Sequence, residues 1–145
     1  MNLEVPSKLL TSFENLKTNK YDTIVWEGGR GGAKSESLVA IGLLESFIDD
    51  GVILCCREIQ KSINDSLYSA IVSGIHKNNL TNHFKILQNE ITNLVTGAKF
   101  IFAGLKSNIT NIKSINKHRV VLTDEAENIT QNSWDYLKIL EKFTA

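Results

Sequence analysis

The octamer Gly28-Gly29-Arg30-Gly31-Gly32-Ala33-Lys34-Ser35 sets small residues, a lysine and a hydroxyl in the order that phosphate chemistry requires. Glycines let successive backbone N–H groups converge on phosphate oxygens without Cβ clashes. The lysine reaches the terminal phosphates and the hydroxyl ligates magnesium, all at the positive end of a helix. Glu36, next in line, is counted with these nucleotide-binding residues. One position departs from the pattern G-x-x-x-x-G-K-[ST], because the last glycine is Ala33. Alanine at positive φ would cost about 1–2 kcal/mol, whereas at an already helical position it is cheap, and Ala33 directly precedes a predicted helix. For the octamer alone, a bare glycine-rich turn before a helix is the plainer alternative.

A phosphate loop needs acids beside it. One carboxylate holds hydrated magnesium and a second polarises the attacking water, both at the C-terminal end of a buried strand. "VVLTDE" supplies them, with Asp124 for the metal shell, through water, and Glu125 for the water that attacks. They stand 90 residues beyond Lys34, counted from 34 to 124, which is room for two strand–helix units and a hairpin. Taken alone, Asp124, Glu125 and Glu127 also suit a helix start, where acids meet the positive dipole. Together with the glycine loop they read as a magnesium–nucleotide pocket. The adjacent Asp–Glu pair favours ATP hydrolysis coupled to movement over small-molecule kinase chemistry.

The elements that must position these residues alternate. Leu9, Leu10, Phe13 and Leu16 fit one helical face, with Pro6 suited to its first turn. "TIVWE" (Thr23–Glu27) reads as the strand that aims the loop. A helix is expected from near Lys34, with Leu38, Ile41, Leu44 and Ile48 as its stripe. "VILCC" (Val52–Cys56) is apolar on both faces and so reads as a buried strand. Ser62 and Asp65 signal another helix start, and Ile63, Leu67, Ile71 and Ile75 mark its buried face. "KILQ", "EITNLV" and "AKFIFAG" predict short strands with a turn at Thr96-Gly97, and Val120–Glu127 is an apolar strand ending in acids. Trp134, Leu137, Leu140 and Phe143 space as a last helix. The alternation predicts an α/β fold, a mostly parallel sheet flanked by helices.

At 145 residues the chain makes one domain at most, able to bury about 68–70% of its unfolded surface. Its formal net charge is zero, so no overall basic excess announces a nucleic acid. No apolar run approaches the roughly 18 residues of a membrane span, and the start "MNLEVPSKLL" lacks the features of a secretory signal. Cys55 and Cys56 are adjacent, which excludes a structural disulfide between them and suggests buried thiols in a reducing compartment. The three histidines show no metal-ligand spacing, and no zinc site is expected.

"GGRGGAKS", "VILCCRE", "SINDSLYSAI", "GAKFIFAGL", "NIKSI" and "VVLTDEAENI" followed by Ser133-Trp134 together resemble, in order and spacing, the large subunit of phage terminases, specifically the PBSX-like group. The resemblance covers about Tyr21 to Leu137, and Ala33 agrees with that group's variant loop. It implies a P-loop NTPase of the additional-strand type and an ATP-driven motor that packages viral double-stranded DNA into procapsids. It further implies a terminase small subunit and a portal as partners, homo-oligomerisation at full length and work in the cytoplasm of the bacterial host. By carry-over Lys34 and Ser35 bind phosphate and magnesium, Asp124 completes the metal site, Glu125 is the catalytic carboxylate, and Arg30 senses or stabilises the γ-phosphate. Arg30 packing over the loop or pairing with Glu27 is the alternative.

Nothing in the sequence supplies the acidic cluster of the family's nuclease, so residues 1–145 are expected to be a partial ATPase domain. By analogy the sheet order is Thr23–Glu27, a vacancy, Val120–Thr123, Val52–Cys56, then Lys99–Ala103. Lys106, Lys113, Lys117, His118 and Arg119 form a locally basic stretch, either a DNA-phosphate contact or a solvated loop. Arg57 ends a strand on the ligand side, Trp26 and Trp134 suit packing, and helix packing accounts for Ser66 and Tyr68. Two further functions stay open: a catalytically idle fragment that binds nucleotide or a partner, and a helicase-like ATPase.

Overall fold

The computed structural model describes residues 34–58, 67–106, 112, 117–123 and 128–143, with Thr11 and Glu14, and describes side chains in the last segment only to Leu137. The expected strand Thr23–Glu27, Gly28–Ala33, Asp124, Glu125, the start of the helix at Ser62 and the vacancy beside the loop strand all lie outside the described residues, as does most of the first expected helix.

Among the described residues these helices and strands follow one another: α1 (Lys34–Ser46), β1 (Val52–Arg57), α2 (Leu67–Lys77), β2 (Phe84–Ile86), β3 (Glu90–Asn93), β4 (Lys99–Gly104), β5 (His118–Thr123) and α3 (Gln131–Phe143). The described strands form one sheet in the order β2-β3-β4-β1-β5. The expected neighbours Val120–Thr123, Val52–Cys56 and Lys99–Ala103 stand in that order. As the expectation of a mostly parallel sheet requires, four of the five described strands run one way, and β3 opposes them. β1 pairs in parallel with β4 and β5, whereas β2–β3 and β3–β4 are antiparallel. Chain length decides this. Leu87–Asn89 and Leu94–Ala98 are hairpin-sized connections, and a parallel crossover needs a dozen residues or more. Gly97, at φ +83°, closes the second hairpin with the left-handed backbone that glycine takes without strain.

The period-two alternation of β1 feeds two separate cores. Ile53 and Cys55 pack with α1, α2, Phe84, Ile91, Phe100 and Leu122 on one face. Leu54 and Cys56 pack with Ala103, Leu105, Ile112, Tyr136 and Leu137 of α3 on the other. The stripe Leu67, Ile71 and Ile75 is buried as expected, and Trp134 packs against the second core. The stripe proposed for α1 is corrected. The helix ends at Ser46, Ile48 beyond it is 49% exposed, and Leu43, off that stripe, is fully buried. α1 lies between the sheet and α2, so its burial runs round the helix. Contact with the sheet is close at Gly42, where an added Cβ would come 3.1 Å from both Leu122 and Phe100.

Candidate functional site

The direction of α1 locates the ligand end of the sheet. Its last turn is tied to the N-terminal ends of the parallel strands. The Ser46 carbonyl accepts from Thr96 Oγ1 at 2.6 Å and from Asn93 Nδ2 at 3.2 Å, just ahead of β4. Glu45 accepts from Arg119, the second residue of β5, at 2.5 Å. Thirteen helical residues span about 20 Å, and six strand residues about the same. The first turn of α1, Lys34-Ser35-Glu36, therefore stands level with the C-terminal ends of β1, β4 and β5. That is the crevice in which open α/β sheets bind ligands, with a helix N-terminus supplying positive potential. Lys34 is half-buried there, and Ser35 and Glu36 are exposed.

A second helix starts at the same end. Thr130 caps α3, its hydroxyl accepting from the Ser133 N–H at 3.3 Å and its carbonyl from the Trp134 N–H at 2.9 Å. The same hydroxyl donates to Glu58 Oε1 at 3.0 Å. Glu58 follows directly on β1, and its carbonyl still accepts the Lys106 N–H at 3.0 Å, as that of Arg57 accepts the Leu105 N–H at 2.8 Å. The chain bends at Glu58, and the bond to Thr130 draws its side chain to the start of α3. It is only 7% exposed, and its second oxygen, Oε2, is buried without a hydrogen-bond partner among the described residues.

Of the sequence candidates, Lys34, Ser35 and Glu36 share this end with the close of β5 at Thr123, the residue before Asp124. Thr123 stands opposite Cys56 in register. Gly28, Gly29, Arg30, Gly31, Gly32, Ala33, Asp124 and Glu125 lie outside the described residues. Sequence reasoning passed over Glu58 and Thr130. The available signal was the acid immediately after a strand apolar on both faces, two residues on from Cys56.

The site's chemistry fits a nucleotide with a divalent cation. A lysine and a hydroxyl side by side at a helix start, Lys34 and Ser35, are groups of the kind that a phosphate and its divalent cation take. Among the described residues no group of three or more His, Cys, Asp or Glu is placed to hold a metal alone, and no helix is long and apolar enough to cross a membrane.

Described members of the basic stretch have acidic partners and stand apart. Lys117 meets Asp50 at 3.0 Å, and Arg119 meets Glu45 and, at 2.7 Å, Asp49. His118 is buried in β5. These three sit at the start of β5, whereas exposed Lys106 sits past the end of β4, and Lys113 lies outside the described residues.

A family model described as phage terminase large subunit matches residues 20–143. A search among curated proteins found no match.

Proposed function

Because the chain belongs to the phage terminase large-subunit family, we propose that it is an ATP-binding and ATP-hydrolysing motor domain of the P-loop, additional-strand type, powering the packaging of viral double-stranded DNA into procapsids. The observation that carries the reading is the first turn of α1, with Lys34 and Ser35, level with the C-terminal ends of β4, β1 and β5.

Gly28–Ala33 would cradle the phosphates through backbone N–H groups, and Lys34 would neutralise charge on the terminal ones. Magnesium, held by Ser35 and through water by Asp124, would supply electrostatic stabilisation of the phosphate oxygens. Glu125 would orient and polarise the attacking water, and Arg30 would offset charge developing on the γ-phosphate. Work on DNA belongs to the assembled motor, with further copies of the chain, a small subunit and a portal as partners in the host cytoplasm.

The test is steady-state ATP hydrolysis by the chain and by Glu125→Gln, with ATP affinity of Lys34→Ala measured by calorimetry and folding followed by circular dichroism. We expect Glu125→Gln to lose at least 100-fold in turnover, in line with the 10²–10⁴-fold a positioned acid–base group contributes. Lys34→Ala should fold and lose ATP affinity. Equal turnover in wild type and Glu125→Gln removes Glu125 from its role, and undiminished binding by Lys34→Ala removes the phosphate assignment. Binding without any turnover supports the idle nucleotide-binding module instead.

A further inference from the structure

We propose that the end of the sheet where β1, β4 and β5 begin carries a two-fold contact surface for a second copy of this chain, centred on Ile48, Leu94 and Val95. None of these side chains belongs to the proposed nucleotide site, which lies at the opposite ends of those strands.

Place is the first ground. Among the described residues the large apolar side chains that stand exposed are Ile48 at 49%, Leu94 at 59%, Val95 at 65% and Leu87. Only Leu87, in the β2–β3 turn, is away from this end. Leu94 and Val95 form the turn between β3 and β4, and Ile48 follows α1. The Asn93 and Thr96 side chains both donate to the Ser46 carbonyl, and a Cβ added at Gly97 would come 3.6 Å from that of Asp50. The turn and residues 46–50 therefore make one surface. Exposed apolar side chains scattered singly are ordinary, whereas grouped ones mark a contact.

The second ground is how firmly the turn is held. Asn93 is fully buried, and its Oδ1 accepts from the Val95 N–H at 2.9 Å and the Thr96 N–H at 3.4 Å. Its carbonyl accepts the Gly97 N–H at 2.8 Å, and the Thr96 hydroxyl accepts the Ala98 N–H at 3.2 Å. Tight turns favour Gly, Asn, Asp and Ser. Here the framework instead holds a leucine and a valine out in water. A backbone already fixed loses little freedom when a partner covers its side chains.

Charge selects the partner. Beside the apolar tips stand exposed Asp49, Asp50 and Lys117, so both signs occur together. The carboxylates would repel a nucleic-acid backbone. A two-fold contact sets residue i of one copy on residue j of the other, and j on i. A patch bearing both signs is complementary to itself under that operation. Lys117 of one copy then meets Asp50 of the other, and the apolar tips cover one another across the axis. Three apolar side chains make a small patch, so the pairing is of the weak, concentration-dependent kind.

Sedimentation equilibrium over a concentration series, without nucleotide, tests this. Wild type should pass from one chain to two per particle as concentration rises. The double variant Leu94→Ser with Val95→Ser changes only exposed side chains, so its melting in dilute solution should match wild type. It should raise the dissociation constant at least about tenfold, as loss of buried apolar area implies. Lys117→Glu should weaken pairing by setting like charges across the axis, and Asp50→Lys added to it should restore pairing. Val95→Cys supplies an accessible thiol, Cys55 and Cys56 being buried. A short bis-maleimide should join two copies through that thiol.

A single-chain mass up to about 1 mM, the weak end of the affinity scale, overturns the proposal. So does a dimer whose dissociation constant the serine pair leaves unchanged, because the contact then lies elsewhere. Failure of Asp50→Lys to restore the Lys117→Glu variant overturns the two-fold pairing. A Val95→Cys thiol closed to a simple maleimide in the monomer also overturns it, since the chain then covers this patch itself. Each of these outcomes leaves the nucleotide reading standing.

Discussion

The two ends of the same sheet are built on opposite terms. At the N-terminal ends of β1, β4 and β5, polar groups answer one another. Arg119 takes Glu45 and Asp49, Lys117 takes Asp50, and the buried Asn93 donates to the Ser46 carbonyl and hydroxyl. Its Oδ1 accepts from the Val95 N–H at 2.9 Å and the Thr96 N–H at 3.4 Å. At the C-terminal ends stand a half-buried lysine, an exposed serine and a buried carboxylate. The described groups of the first end are joined in ion pairs and hydrogen bonds, whereas those of the second stand where the proposed nucleotide would bind. Polar groups buried at a closed end should raise stability when intact, whereas those at an open end should matter mainly when ligand arrives.

Substitutions break or sharpen that contrast in descending order. Arg119→Met removes an ion-pair partner of Glu45, whose side chain is 5% exposed, and breaking a buried pair on one side costs up to about 3–5 kcal/mol. Urea unfolding should show this loss, while ATP affinity of the folded fraction should stay at the wild-type level; a fall in that affinity would mean the ends are not separable. Asn93→Ala removes a side chain that joins α1 to the β3–β4 turn, and about 2 kcal/mol should go with its buried bonds. A change within error in the urea midpoint would count against Asn93 as a structural anchor.

Lys117→Met should have the smallest effect, because both members of the pair with Asp50 are exposed and salt screens them. Its sign is still fixed. The Lys117 ammonium, by hydrogen bond and then by charge, holds the Asp50 carboxyl below the usual range. A carboxyl lower in the folded than in the unfolded chain adds stability above its unfolded value, and that stability goes as pH falls through the folded value. Thermal melts of wild type and Lys117→Met should therefore differ slightly near neutrality and converge below about pH 4, in the aspartate range. A difference that grew on acidification would contradict the pairing.

The contrast also explains what could be read from residue order. Burial on both faces of Val52–Cys56, the stripe Leu67, Ile71 and Ile75, and the hairpin at Gly97 are written in local periodicity, and those elements form where the pattern put them. The ion pairs of the basic stretch were not legible because its partners are remote. Asp50 lies 67 residues from Lys117, and Glu45 lies 74 from Arg119, so neutralisation is a tertiary event. The same reason hid Glu58, whose burial depends on α3 folding back across the end of β1 from 72 residues away. Of the expected pocket, the helix start carrying Lys34 and Ser35 is described, while Gly28–Ala33, Asp124 and Glu125 lie outside the described residues.

One pair in the central strand has a use of its own. Cys55 and Cys56 are buried back to back, one in each core. Burial, and for Cys55 also the neighbouring sulfur, disfavours the thiolate, and the Cys56 thiol is pushed up to about 12. Only the thiolate attacks an alkylating reagent, so modification must wait until a helical layer lifts from β1. The chain thereby carries two natural clocks, one for each side, and their relative rates report which layer peels away first.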